Sequence, residues 1–234
     1  MPRHHPASAF GAPDGPPGPP RAPAGDAPGA ASGAASDATA GTGVPRWEHH
    51  KWSEISDSRS VTRFLIVCTA NRCRSPMAEQ LLRERLRSVA TPTLVSSAGT
   101  LAEEGLPATR DALTVAGGPE GHASRRLVRS LVESADLVLC MTRDHLREVV
   151  TLSPAAFIRT YTLRDLARRG AAAGPRRPGE SIETWLTWVG TGRRPSDLVG
   201  HDDSDDVADP VGRPVEAYRR CAADLDSLLA EIVA

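Results

Sequence analysis

The sequence predicts an α/β domain of three layers, α/β/α, with helices on both faces of a four-stranded parallel sheet. Three observations lead there. From Val61 onward, short branched-apolar runs alternate with stretches of helical periodicity. The runs are almost continuously apolar, as strands covered on both faces are. Each run is separated from the next by enough chain for a crossover helix, which parallel neighbours require.

The elements follow in order. FLIV, Phe64 to Val67, reads as a buried strand, and MAEQLLRERLRSV behind it places Met77, Leu81, Leu82 and Leu86 at helical spacing. A second strand is expected around Thr93 to Ser97, a third around Leu137 to Met141 and a shorter fourth around Phe157 to Tyr161. Helices fit between them at Thr109 to Ala116, Ser124 to Leu131 and Arg143 to Val150. A last helix begins near Pro214, which suits a first turn, and repeats apolar residues at Val215, Tyr218, Cys221, Leu225, Leu228 and Ile232. Between the fourth strand and this helix, 168–206 reads as an irregular insertion containing one short helix, Ser181 to Val189, with Trp185 and Trp188.

The segment 1–58 stands apart. Half of the chain's 20 prolines and eight of its 20 glycines precede Trp47, and branched apolar residues are nearly absent. Such a composition buries too little surface to offset chain entropy, so we expect a disordered tail over 1–58 and a folded domain over 59–234. Its one sticky stretch is WEHHKW, Trp47 to Trp52. An inert terminus is the quieter expectation for it, beside a docking role for the two tryptophans.

Composition excludes several classes. No run of about 18 apolar residues is present to cross a bilayer, and MPRHHPASAFGAP lacks a secretory apolar region, so a cytoplasmic protein without membrane contact is expected. A net charge of −1 argues against nucleic-acid binding by bulk phosphate attraction. Four cysteines without C-x-x-C spacing make neither a disulfide framework nor a structural zinc site.

The chemistry concentrates in CTANRCRS, which sets Cys68 directly after the first strand, Arg74 six positions later and Ser75 at the start of a helix. Ligands of open parallel sheets bind beyond the carboxyl ends of strands. Successive backbone N–H groups between Cys68 and Arg74 can curl into a nest, with the positive end of the following helix aimed at the same centre. That suits a tetrahedral oxyanion. Arg74 adds a planar fork of donors, and the positive field favours a thiolate at Cys68. The P-loop pattern of nucleotide binders is missing, since no lysine lies in the loop.

C-x5-R-S is the spacing of cysteine-dependent phosphatases, and VCTANRCRSPMAE resembles the low molecular weight protein tyrosine phosphatase family. The resemblance continues through SSAGT (96–100), GHASRRL (121–127), ADLVLCMTRDHL (135–146) and ADP-x-G (208–212). It implies a flavodoxin-like sheet, a phosphate-binding loop formed by Thr69, Ala70, Asn71, Arg72, Cys73 and Ser75, and hydrolysis of a phosphorylated protein without cofactor or metal. Cys68 would be the nucleophile, Arg74 the phosphoryl ligand and Asp209 the general acid. Ser97 and His122, with Asn71, match the family's polar network holding the loop. Cys73 matches a second loop cysteine able to form a reversible disulfide with Cys68.

Departures from the family bear on substrate. Val211 and Gly212 stand where many members carry aromatics, so Trp185 or Trp188 is expected to supply the cleft wall. Ala70 replaces a usual glycine, which would strain the cradle, and Arg72 puts a cation near the mouth. Arg125, Arg126 and Arg129 read as a solvated face, and Cys140 and Cys221 as core. Tyrosine phosphatase activity is the main expectation, with arginine phosphatase and arsenate reductase as alternatives.

Overall fold

The computed structural model describes residues 61–89, 92–117, 121–200 and 202–233. The expected tail, with its WEHHKW stretch, lies outside the described residues. Four parallel strands form one sheet in the order β2-β1-β3-β4: β1 (Thr62–Cys68), β2 (Thr93–Gly99), β3 (Leu137–Cys140) and β4 (Thr160–Thr162). Seven α-helices are described: α1 (Arg74–Leu86), α2 (Arg110–Ala116), α3 (Arg129–Ser134), α4 (Arg143–Leu152), α5 (Leu163–Ala173), α6 (Ile182–Val189) and α7 (Val215–Val233).

Strand periodicity sorts the core into two layers. Phe64, Ile66 and Cys68 of β1 and Leu137 and Leu139 of β3 face one side, where Met77 and Leu82 of α1 and Leu225 and Leu229 of α7 pack. Leu65, Val67, Val138 and Cys140 face the other, against Val132 of α3 and Leu146 and Val149 of α4. Burial on both faces is why β1 from Phe64 onward and β3 carry only apolar residues and cysteine. No helix among the described residues is long and apolar enough to cross a membrane.

Three elements differ from expectation. The fourth strand is Thr160–Thr162 rather than 157–161, because Pro154 opens a 3-10 turn over Pro154–Arg159 and Phe157 and Ile158 lie in it. The helix expected over 124–131 starts only at Arg129. Its first residues are extended, with Ser124 N bonded to Leu106 O, Gly99 N to Arg125 O and Leu127 N to Gly99 O, so their backbone groups are spent on the loops beside β2. The segment read as irregular from Arg168 is instead helical to Ala173, capped by the Thr162 hydroxyl accepting from Asp165 N. Leu163, Leu166, Ala167 and Gly170 form its buried stripe.

Candidate active site

The loop 68–74 leaves the carboxyl end of the central strand β1, between β2 and β3, and delivers the chain into α1. Cys68 is still in strand register with Gly99, which fixes where the loop begins. The Cys68 sulfur lies buried on the loop floor, 3.3 Å from Asn71 N, which donates to it, and 2.9 Å from Ser75 Oγ. Both groups stabilise negative charge on sulfur when they donate.

Asn71 makes the loop's shape. Its φ of 55° lies in the left-handed region, which asparagine tolerates better than most non-glycine residues, and it is the only non-glycine residue with positive φ among those described. The strain expected at Ala70 therefore does not arise there. Asn71 is fully buried with its polar groups all engaged: Nδ2 donates to Ser75 Oγ (3.0 Å) and Ser97 Oγ (2.7 Å), Oδ1 accepts from Arg125 N (3.0 Å), and O accepts from His122 Nε2 (2.7 Å). Ser97 in turn donates to Glu79 of α1, which is buried and paired with Arg83.

Arg74, also buried, aims its guanidinium at the lip of the loop. Nη1 donates to Val207 O (3.2 Å) and Nη2 to Thr69 Oγ1 (3.4 Å), while Nη2 pairs with Asp209 Oδ2 at 2.5 Å. Asp209 comes from the turn before α7, its other oxygen accepting from Val211 N at 3.1 Å. Cysteine, arginine and carboxylate, 141 residues apart at the extremes, thus share one opening. Thr69 is fixed from behind by His145, whose Nε2 lies 2.9 Å from Thr69 Oγ1 and whose Nδ1 lies 2.8 Å from Thr142 Oγ1. Burial, with the charge of Arg74, lowers the His145 pKa to about 4, so this imidazole is neutral near pH 7.

Cys73, the first residue before α1, lies buried on the same face of the sheet as Cys68 and Cys221. Burial pushes its thiol up to about 12, with Cys221, Asp209 and Cys68 adding to the shift and Arg74 opposing it. Burial likewise holds Cys221 at about 12. Cys140 faces the opposite side of the sheet, in the other core layer, so β3 separates it from the loop.

A low molecular weight phosphotyrosine protein phosphatase family description matches residues 63–173. A protein-arginine-phosphatase of Geobacillus stearothermophilus is 32% identical over 171 residues, covering 71% of this chain and 90% of that protein. The chain belongs to the low molecular weight protein-tyrosine-phosphatase family. The family's Etp of Escherichia coli K12 is 40% identical over 94 residues, a match that spans 38% of this chain and 61% of Etp. Among solved structures, the low molecular weight protein tyrosine phosphatase of T. tengcongensis superposes with a TM-score of 0.53 at 28% identity, covering 73% of this chain and 97% of that one.

Against the expected site of a family member, the loop residues, Cys68, Arg74, Ser75, Ser97, His122 and Asp209 are brought together. Arg72 is half-buried, its Nε donating to Pro107 O at 2.9 Å. Trp185 and Trp188 are not at the site. Trp185 is core, its indole donating to Gly174 O, and α6 lies by Asp136 and Arg159, at the amino ends of β3 and β4, whereas the loop leaves a carboxyl end. Arg125 is not part of a solvated face, because its Nε donates to Ser97 O at 2.7 Å. Sequence reasoning missed Glu79, Arg125 and His145. All three are polar residues on otherwise ordinary helices or turns, and only His145 had a local signal, as a histidine facing inward at the start of α4.

Proposed function

We infer that this chain is a cysteine-dependent phosphatase of phosphorylated proteins, acting through a cysteinyl-phosphate. One observation carries the reading: the Cys68 sulfur receives Asn71 N inside a loop whose rim holds Arg74 against Asp209. An entering phosphoryl group takes the arginine fork on two oxygens and frees the Asp209 carboxylate, which takes up a proton from solvent. The sulfur of Cys68 attacks phosphorus, forming the S–P bond as the P–O bond to the leaving group breaks. Asp209 gives its proton to that oxygen. Asp209 then takes a proton from water, whose oxygen attacks phosphorus and releases inorganic phosphate and the Cys68 thiolate.

Phosphotyrosine is the substrate this chain's residues favour. Arg72 presents a guanidinium from the middle of the loop, which repels the guanidinium of phosphoarginine but stacks on an aryl ring. Exposed Leu101, whose N–H donates to Thr69 O, and exposed Val211 offer aliphatic walls where tryptophan was expected. The arginine phosphatase reading is supported by the Geobacillus relative, which covers more of the chain than Etp does. The cytoplasm, where thiols stay reduced, is the compartment that fits a thiolate nucleophile.

Hydrolysis of para-nitrophenyl phosphate without added metal, by wild type, Cys68→Ser and Asp209→Asn, tests the chemistry. Turnover abolished by the serine and strongly reduced by the asparagine is expected, and equal rates in all three proteins refute it. Phosphotyrosine and phosphoarginine peptides then separate the two substrate classes.

A further inference from the structure

At the amino ends of β3 and β4, away from the anion loop, the domain carries a cavity of about 500 Å³. Its volume is that of ligand sites in general. Phe157 and Leu186 supply apolar lining, and Ile158 stands beside it 70% exposed. The acidic side chains Glu133, Asp136 and Glu183 line the same cavity, and Glu183 has no ion-pair partner among the described residues. The cavity also contains Arg159, whose Nε is the one buried side-chain nitrogen or oxygen without a hydrogen bond among the described residues. Arg193, its other basic residue, is consumed by the fold: it stacks on Tyr161 and Phe157 and donates to Phe157 O and Thr160 O. The unfilled requirements are therefore an apolar body, a cation for Glu183 and an acceptor for Arg159.

The chain supplies all three just upstream. Arg63 N donates to Asp136 Oδ2 at 2.7 Å and Asp136 N to Arg63 O at 2.9 Å, so β1 enters the fold against a residue that lines the cavity. Ten residues before Thr62 stands Trp52, within a reach of about 33 Å for extended chain. The stretch Trp47-Glu48-His49-His50-Lys51-Trp52 joins two aromatic side chains to the chain's only lysine, two histidines and a carboxylate. A tether this short gives an effective concentration of about millimolar, enough to fill a site of modest affinity.

We propose that residues Trp47 to Trp52 fold back onto this cavity, placing an indole against Phe157, Ile158 and Leu186, Lys51 on the acidic rim and Glu48 near Arg159. This interaction is independent of the catalytic reading.

The single lysine makes the test specific. Carbodiimide coupling of the full-length chain at low micromolar concentration, followed by mass-spectrometric mapping, joins Lys51 only to carboxylates it touches. The expected result is an intramolecular link from Lys51 to Glu133, Asp136 or Glu183, absent in Lys51→Arg and reduced about fivefold or more in Ile158→Asp. Links from Lys51 confined to Glu48 or Glu54, links between two copies of the chain, or no link, overturn the proposal. A second measurement needs no coupling: hydrogen exchange of the backbone over 157–161 and 186–193 is expected to speed several-fold in the full-length Trp47→Ala/Trp52→Ala double variant. Unchanged exchange there refutes docking by the aromatic pair.

Discussion

Gly99 ends β2 opposite Cys68, and the structure leaves no room at its α-carbon. A β-carbon there would lie 2.5 Å from Thr69 O, 2.8 Å from Asn71 N and 2.9 Å from Ala102 Cβ. Two of those atoms are backbone of the anion loop and cannot rotate aside. Ordinary contact starts near 3.4 Å, so Gly99→Ala must move the loop by nearly an ångström or tear β2 from β1. Overpacking of that kind costs about 1–3 kcal/mol of stability. Catalysis suffers more, since a misplacement of about 1 Å costs roughly a hundredfold. Gly170→Ala is the control, because its β-carbon meets only the Trp185 ring, at 3.2 Å, far from the loop. Steady-state kinetics with para-nitrophenyl phosphate and urea unfolding on both variants are the assay. We expect Gly99→Ala to remain folded with kcat/KM down about a hundredfold, and Gly170→Ala to keep wild-type kcat/KM. A Gly99→Ala enzyme within twofold of wild type would show that the loop is not braced through this contact.

Three further outcomes follow from the same geometry. His145 has its pKa lowered from 6.5 to about 4 by burial first and by Arg74 second, so the fold binds the neutral ring; its contribution is complete above pH 6.5 and drains away as pH falls toward 4, by roughly 3 kcal/mol in all. The difference between wild type and His145→Gln in urea midpoint should therefore shrink between pH 7 and pH 4.5, and a constant difference argues against it. Asp209 occupies Arg74 in the empty site and is itself an anion, so calorimetry should find inorganic phosphate binding several-fold tighter to Asp209→Asn even as its kcat falls by a factor of about 10² to 10⁴; weaker phosphate binding contradicts the competition. Asn71→Ala loses three side-chain hydrogen bonds around the loop and puts alanine at φ 55°, at a cost of about 1–2 kcal/mol from the backbone alone; stopped or near-stopped hydrolysis in a folded protein is expected, and normal rates would show that the loop keeps its shape without it.

The sheet was legible because its strands are short, apolar and flanked by turns, and the anion loop because C-x5-R-S puts unlike side chains at a fixed spacing. What was hidden had two causes. In α5 the buried stripe is partly Ala167 and Gly170, small because the Trp185 ring packs directly on the helix there, and small residues among arginines read as linker. Around 124–128 a helical pattern is overridden because Ser124, Arg125 and Leu127 use their backbone groups to tie Leu106, Gly99 and Asn71 together. Local propensity cannot reveal bonds made to residues 18 to 54 positions away. Glu79 and His145 escaped for the same reason, since each is recognisable only through the buried partner it satisfies.

Asn71 explains why the separated motifs meet at one loop. SSAGT supplies Ser97 to its amide nitrogen, GHASRRL supplies His122 to its carbonyl and the Arg125 N–H to its amide oxygen, and the loop itself supplies Ser75. A left-handed residue buried at the floor of an anion site has no water to satisfy it, so every one of these groups must be delivered by protein. The result is a loop held in shape, with Asn71 N facing the sulfur, before any phosphate arrives. Pre-organised donors lower a barrier because nothing has to reorient while charge moves onto the transferring oxygens. The polar residues far from Cys68 in sequence therefore act on the reaction through one asparagine, and their bonding is as much a part of the site as the sulfur and the arginine.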